Sequence, residues 1–191
     1  MPDADTLAGA TGAVTTDTRR IFFALWPDQA VRDQLLQWQQ YLAPMLNGAR
    51  AVQADNLHLT LEFLGGLNSE QITRACQAAV TVKAESFQLH LDHYACLAQP
   101  RVVYAGLYET PAAALALQQQ LRVALQQLAL PTEQRPWLPH VSLFRKAPPL
   151  AAAAMTTRLQ WQVTDFCLVE SCSTDQGVRY LPLQRWALQR R

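Results

Sequence analysis

The segment Asn56 to Leu64, NLHLTLEFL, alternates strictly: Leu57, Leu59, Leu61 and Phe63 fall on one side, His58, Thr60 and Glu62 on the other. A period of two fixes an extended strand with one packed and one open face, because successive side chains leave a strand in opposite directions. The tetrad near its start returns 82 residues later, where His140-Val141-Ser142-Leu143 repeats His58-Leu59-Thr60-Leu61 in a second alternating run. Each copy puts a histidine and a hydroxyl on the open face at i and i+2 and turns aliphatic residues into the core. The fold must therefore supply two half-buried strands, each presenting an imidazole.

The remaining pattern predicts what surrounds them. Arg20 to Leu25 is a bulky run ended by Trp26-Pro27, a buried strand leading to a helix that Asp28 caps, with Val31, Leu35, Trp38 and Leu42 on its apolar stripe. Gly65-Gly66 is expected to end the first motif strand, and Ser69 to cap a helix carrying Ile72, Ala75, Cys76 and Ala79. Phe87 to Leu97 and Arg101 to Tyr108 read as an antiparallel hairpin. Thr110-Pro111 then opens a helix as N-cap and N1 proline, with Leu117, Leu121, Leu125 and Leu128 facing inward until Pro131. After Phe144 an Ala- and Pro-rich link precedes late strands over Trp161 to Ser173 and Gly177 to Leu188. The sum is an α+β fold with mainly antiparallel sheet.

Composition bounds the rest. Half of the 191 residues are apolar and 16% are charged, which suits one folded unit. Residues 1–18 are small, polar and aperiodic and are assigned to a disordered tail, leaving 19–191 as a single domain. No stretch offers the roughly 20 apolar residues of a membrane span, and the start lacks a basic, hydrophobic leader, so a cytoplasmic location is expected. Net charge is +1, and rises to +4 without the acidic tail; a protein gripping long duplexes carries a stronger basic stripe. Fourteen of the sixteen bases are Arg, which suits forked contacts to phosphate. The cysteines Cys76, Cys96, Cys167 and Cys172 form no CxxC pair and share no zinc-finger spacing with histidine, so no metal and no other cofactor is expected.

Paired histidines suit one chemistry in particular. In-line displacement at a phosphodiester needs a base at the attacking oxygen and an acid at the leaving one, and imidazole, with a pKa of about 6.5, serves both near neutral pH. The hydroxyls of Thr60 and Ser142 can donate to the non-bridging oxygens, and Arg145 can offset the developing charge. Regular alternation puts Arg145, at i+5 from His140, on the wrong face. Either the strand ends or bulges before it, or Arg145 is not a phosphate ligand.

The two tetrads resemble the paired H-x-[ST]-hydrophobic motifs of the two-histidine phosphoesterase superfamily. RIFFAL, NLHLTLEFLG, RPWLPHVSLFRKA and the closing Arg179-Tyr180 with Trp186 are similar to its bacterial RNA 2′,3′-cyclic phosphodiesterase branch, also called 2′-5′ RNA ligase. The resemblance spans residues 19 to about 188. It implies a bilobal fold, two similar lobes of mainly antiparallel sheet with helices outside, each giving one motif to a central cleft. It also implies hydrolysis of RNA cyclic phosphate ends to 2′-phosphomonoesters, with reversible, ATP-independent 2′-5′ joining. On that pattern His58 and His140 are the catalytic pair, and Thr60, Ser142 and Arg145 bind phosphate. The enzyme is expected to act as a monomer on RNA ends or small nucleotides that bear a cyclic phosphate. Ser142 stands where Thr is commoner, keeping the donor and dropping a methyl.

Which histidine is acid does not follow from the motif; His58 is taken as the proton donor and His140 as the acceptor. Two rivals remain: the same chemistry on another cyclic or 2′-5′-linked nucleotide, and a nucleotide-binding module without turnover. Trp26, Tyr104 and Trp137 are aromatic candidates for stacking a base, and Arg135 for reaching a phosphate. Glu62 shares parity with His58 and Thr60 and either orients a cleft group or lies at the cleft rim, and the rim is the expectation. His90 and His93, at i and i+3, are expected on opposite faces of their strand and are read as structural.

Overall fold

The structure is a computed structural model describing residues 18–175 and 177–190; nearly all of the expected tail lies outside the described residues. Nine strands form a continuous sheet: β1 (Arg19–Leu25), β2 (Arg50–Ala51), β3 (Leu59–Leu67), β4 (Phe87–Leu97), β5 (Val102–Gly106), β6 (His140–Arg145), β7 (Ala153–Val163), β8 (Asp165–Thr174) and β9 (Gly177–Ala187). Three helices, α1 (Gln29–Leu42), α2 (Ser69–Thr81) and α3 (Ala112–Gln127), complete it. The strand order is β7-β4-β5-β6-β3-β1-β8-β9, with β2 beside β6 and every strand pairing antiparallel.

The order divides into two four-strand halves that meet at β3 and β6, the two motif strands. Their seam is narrow: the ladder pairs Leu59 with Val141. On one face the core runs unbroken across both halves. Leu59, Leu61, Leu89, Leu91, Val141, Leu143 and Phe166 from the strands meet Leu35 and Leu42 of α1, Ala75 and Ala79 of α2, and Leu117 and Leu121 of α3. The helices cross the seam, α1 lying against β6 and β7 of the far half while α3 lies against β3. Burial of each such Leu or Phe contributes about 1.5–3 kcal/mol, so the seam is held chiefly by what packs beneath it. The opposite face is open and carries a small cluster of Phe22, Ala24, Cys167 and Val169, against which Trp26 and Tyr180 pack.

Several local expectations are corrected. Gly65-Gly66 does not end β3, because Gly65 takes φ +78° and accommodates a bulge against β1. Asn68, not Ser69, caps α2, in a reciprocal capping box with Gln71. Pro111 is itself the N-cap of α3, without a side-chain bond from Thr110. The Ala-rich link holds most of β7, which pairs with β4 from Phe87↔Val163 to Tyr94↔Ala153; partnership in the sheet overrides its weak strand propensity. The expected strand Trp161 to Ser173 is accordingly two, broken at Thr164.

Candidate active site

Positions 58 and 140 share the open face. In a ladder registered at Leu59 and Val141, residue 58 lies opposite 142 and 60 opposite 140, so each histidine faces the other motif's hydroxyl. The two histidines are then diagonal neighbours, about 7–8 Å apart at their backbones in a regular antiparallel pair. The charge of His140 acts on His58, as expected of imidazoles that share this face.

The rings are held alike. His58 Nδ1 lies 2.8 Å from the carbonyl of Asn56, and His140 Nδ1 lies 2.8 Å from that of Leu138, each two residues back. A carbonyl only accepts, so both contacts assign the proton to Nδ1 and leave Nε2 as the free acceptor. The surroundings differ. His58 is enclosed by three aromatic rings: Trp26 stacks on it at 5.6 Å and 8°, Phe22 is tilted at 5.0 Å, and Tyr180 stands edge-on at 4.9 Å. His140 has Tyr104 beside it at 5.2 Å. Burial pushes His58 down to about 4, against the opposing pull of its Asn56 bond, and the charges of Arg145 and His140 lower it further. His140 is lowered too, by burial first and then by Arg145. Both imidazoles therefore rest neutral near pH 7, and each feels the same guanidinium.

Arg145 reaches this face through a bulge. Between β5 and β6 the register slips at Leu143: Tyr104 pairs with Ser142, but Val103 pairs with Phe144. Leu143 and Phe144 both turn into the core and Arg145 comes out on the histidine side, which removes the parity conflict. Its Nη2 lies 3.5 Å from the Tyr180 hydroxyl, at the long limit of a hydrogen bond. β3 slips at the equivalent place, where Ala24 pairs with Thr60 and Phe23 with Glu62. That bulge carries Glu62 to the helix side, buried at 1% exposure, and leaves Phe63 exposed; the expectation of a rim position is thereby overturned.

The two-motif repeat thus extends to tautomer, face and bulge. A family model described as the 2′-5′ RNA ligase superfamily matches residues 27–174. The chain belongs to the 2′-5′ RNA ligase superfamily. Over 175 residues it is 33% identical to the RNA 2′,3′-cyclic phosphodiesterase of Escherichia coli (strain K12), covering 91% of this chain and 98% of that protein. The apo crystal structure of E. coli LigT superposes with a TM-score of 0.83 at 32% identity, covering 91% of this chain and 99% of that one. E. coli LigT complexed with 3′-AMP gives 0.82, at 32% identity and with 90% and 98% covered.

Of the other candidates in this superfamily member, Trp26 and Tyr104 flank the histidines, whereas Trp137 uses its indole Nε1 to donate to the Thr60 carbonyl at 2.9 Å. Arg135 pairs with Glu133 on an exposed loop. His90 and His93 share one face after all, because a bulge in β4 lets Leu91 and Tyr94 both enter the core. His93 bonds Asp92 and stacks on Tyr108 at 4.2 Å. Among the described residues no group of three or more His, Cys, Asp or Glu side chains is arranged to hold a metal ion.

Sequence reasoning missed Asn56 and Tyr180 as site residues. Asn56 donates to the Val178 carbonyl at 2.7 Å and accepts from the Tyr180 N–H at 3.1 Å, drawing β9 over the first motif. An Asn two residues before the histidine was the available signal, and only the fold says that its partner strand is β9.

Proposed function

We infer that the protein hydrolyses 2′,3′-cyclic phosphate at RNA ends, leaving a 2′-phosphomonoester. The observation that carries this reading is the pair of imidazoles on one face, each with Nδ1 tied to a carbonyl, Nε2 free and a hydroxyl two residues on. The names of the superfamily relatives supply the substrate class, and the 3′-AMP complex of the E. coli relative is in keeping with a nucleotide at the site.

The reaction runs as an in-line displacement. One Nε2 takes a proton from water as its oxygen bonds to phosphorus, and the other, protonated, gives its proton to O3′ as the P–O3′ bond breaks. Thr60 and Ser142 donate to the non-bridging oxygens, and Arg145 balances the charge that grows on them. The dianion-like transition state raises the proton affinity of both rings, and the less enclosed one charges first. His140 has one ring beside it and His58 three, so burial favours His58 as base and His140 as acid, the reverse of the assignment given under the sequence analysis. With a 5′-hydroxyl in place of water the same groups form a 2′-5′ bond without ATP.

Among the described residues no helix is long and apolar enough to cross a membrane. A monomeric enzyme acting on RNA ends in the cytoplasm belongs to the same reading. Incubation of the pure protein with EDTA and a short RNA ending in cyclic phosphate tests it. A 2′-phosphate end is expected; unchanged RNA would reject the hydrolase, and turnover that EDTA abolishes would reject the metal-free mechanism.

A further inference from the structure

Among the described residues Glu62 is the one charged residue that is fully buried, and it lies on the helix side of the sheet, away from the reacting groups. Both carboxylate oxygens are used. Oε2 accepts from Gln118 Nε2 and Arg122 Nε of α3, each at 2.9 Å, and Oε1 accepts from the backbone N–H of Glu133 at 2.6 Å. A buried carboxylate is retained only where such donors compensate its desolvation. The choice of donors ties together three parts of the fold that the sheet does not. Glu62 stands two residues after Thr60 on β3, while Glu133 stands seven residues before His140, in the segment that leads into β6. Trp137 adds a second strap between the same partners through its bond to the Thr60 carbonyl. The ladder between β3 and β6 pairs Leu59 with Val141 alone, so backbone pairing by itself leaves the spacing of the two motifs poorly fixed.

We propose that Glu62 is a positioning residue: by clamping the Glu133 N–H to β3 it sets the separation of His58 and His140 across the reacting phosphorus. The role rests on the two-histidine reading above. It differs from that of an ordinary buried ion pair with Arg122, because the bond that matters is the one to the loop and not the one to the guanidinium. A carboxamide can make the loop bond. Glu62→Gln keeps an oxygen for the Glu133 N–H, while Gln118 can turn its amide to present oxygen, and Arg122 is partly exposed and can be solvated.

The test is steady-state kinetics of the full chain on a short RNA ending in 2′,3′-cyclic phosphate, with a thermal melt of each variant to establish that it is folded. Glu62→Gln is expected to keep kcat within about threefold of wild type, since the loop bond survives. Glu62→Ala is expected to lower kcat by about 10- to 100-fold with KM within about twofold, the cost of a small misplacement of a reacting group. Glu133→Pro removes the same N–H from a surface loop and leaves the buried carboxylate with its α3 donors. It is expected to reproduce the kcat loss, and the double variant to be no slower than Glu62→Ala alone. Equal damage from Gln and Ala, a loss carried by KM, or a folded Glu133→Pro with wild-type kcat overturns the proposal. Absence of turnover by the wild type rejects the hydrolase and this role together, whereas wild-type turnover with indifferent variants rejects the role of Glu62 alone.

Discussion

His58 and His140 share a sequence pattern and a tautomer but not an environment, and in the proposed mechanism that difference sets two identical side chains to opposite work. An imidazole inside three rings resists charge; one beside a single ring resists it less. The kcat/KM profile should therefore be a bell whose acid limb lies near pH 4, where His58 takes its proton, and whose maximum falls below pH 6.5. A flat profile between pH 5 and 9 would contradict a histidine pair in the chemical step. Arg145 lowers both rings, so Arg145→Ala is expected to move the whole bell toward higher pH as well as to slow the reaction; an unmoved bell would place the guanidinium outside the site. Replacing either histidine by Ala should reduce kcat by at least about a hundredfold with the melting temperature nearly kept, since neither ring belongs to the main core. Near-wild-type turnover in either variant would end the two-histidine account.

At the scale of elements, the alternation of NLHLTLEFL and HVSLF was enough to read the motif strands and the face that carries the histidines. What alternation could not show is where it stops. Bulges at Leu61 and Leu143 send Glu62 inward and Arg145 outward, and a bulge is a property of two paired strands, invisible while the partner is unknown. The same holds for β7, whose Ala-rich half has little strand character until β4 lies beside it. Caps were misread by one residue, Asn68 for Ser69, because neighbouring side chains of similar chemistry compete for the same N–H. Asn56 joins the first motif to β9 by two hydrogen bonds to its backbone. Asn56→Ala leaves the Val178 carbonyl and the Tyr180 N–H unpaired, which should cost about 1–3 kcal/mol in urea denaturation. The rate should fall as well, because Tyr180 then leaves His58 and Arg145; a stability loss with unchanged kcat would show that β9 only covers the site.

For the whole molecule the buried histidines link folding to pH. Unfolded, His58 takes a proton near pH 6.5; folded, it does so only near 4. Between these values the unfolded chain holds more protons, so stability rises with pH and is lost on acidification from about 6.5 to 4. The upper bound for His58 is roughly 3 kcal/mol, which solvent at the partly exposed ring reduces. Urea midpoints at pH 7, 5 and 4 should show the slope, and His58→Gln should flatten it; an equal slope in the variant would assign the acid sensitivity elsewhere. The strand order has a consequence for synthesis. The half-sheet around the first motif takes β1 and β3 from early in the chain and β8 and β9 from late in it, with the other half inserted between. A ribosome delivers His58 more than a hundred residues before Tyr180. The first imidazole therefore waits without the Tyr180 side of its enclosure while the second half assembles, and a nascent chain halted at residue 175 should be inert although both tetrads have already been made.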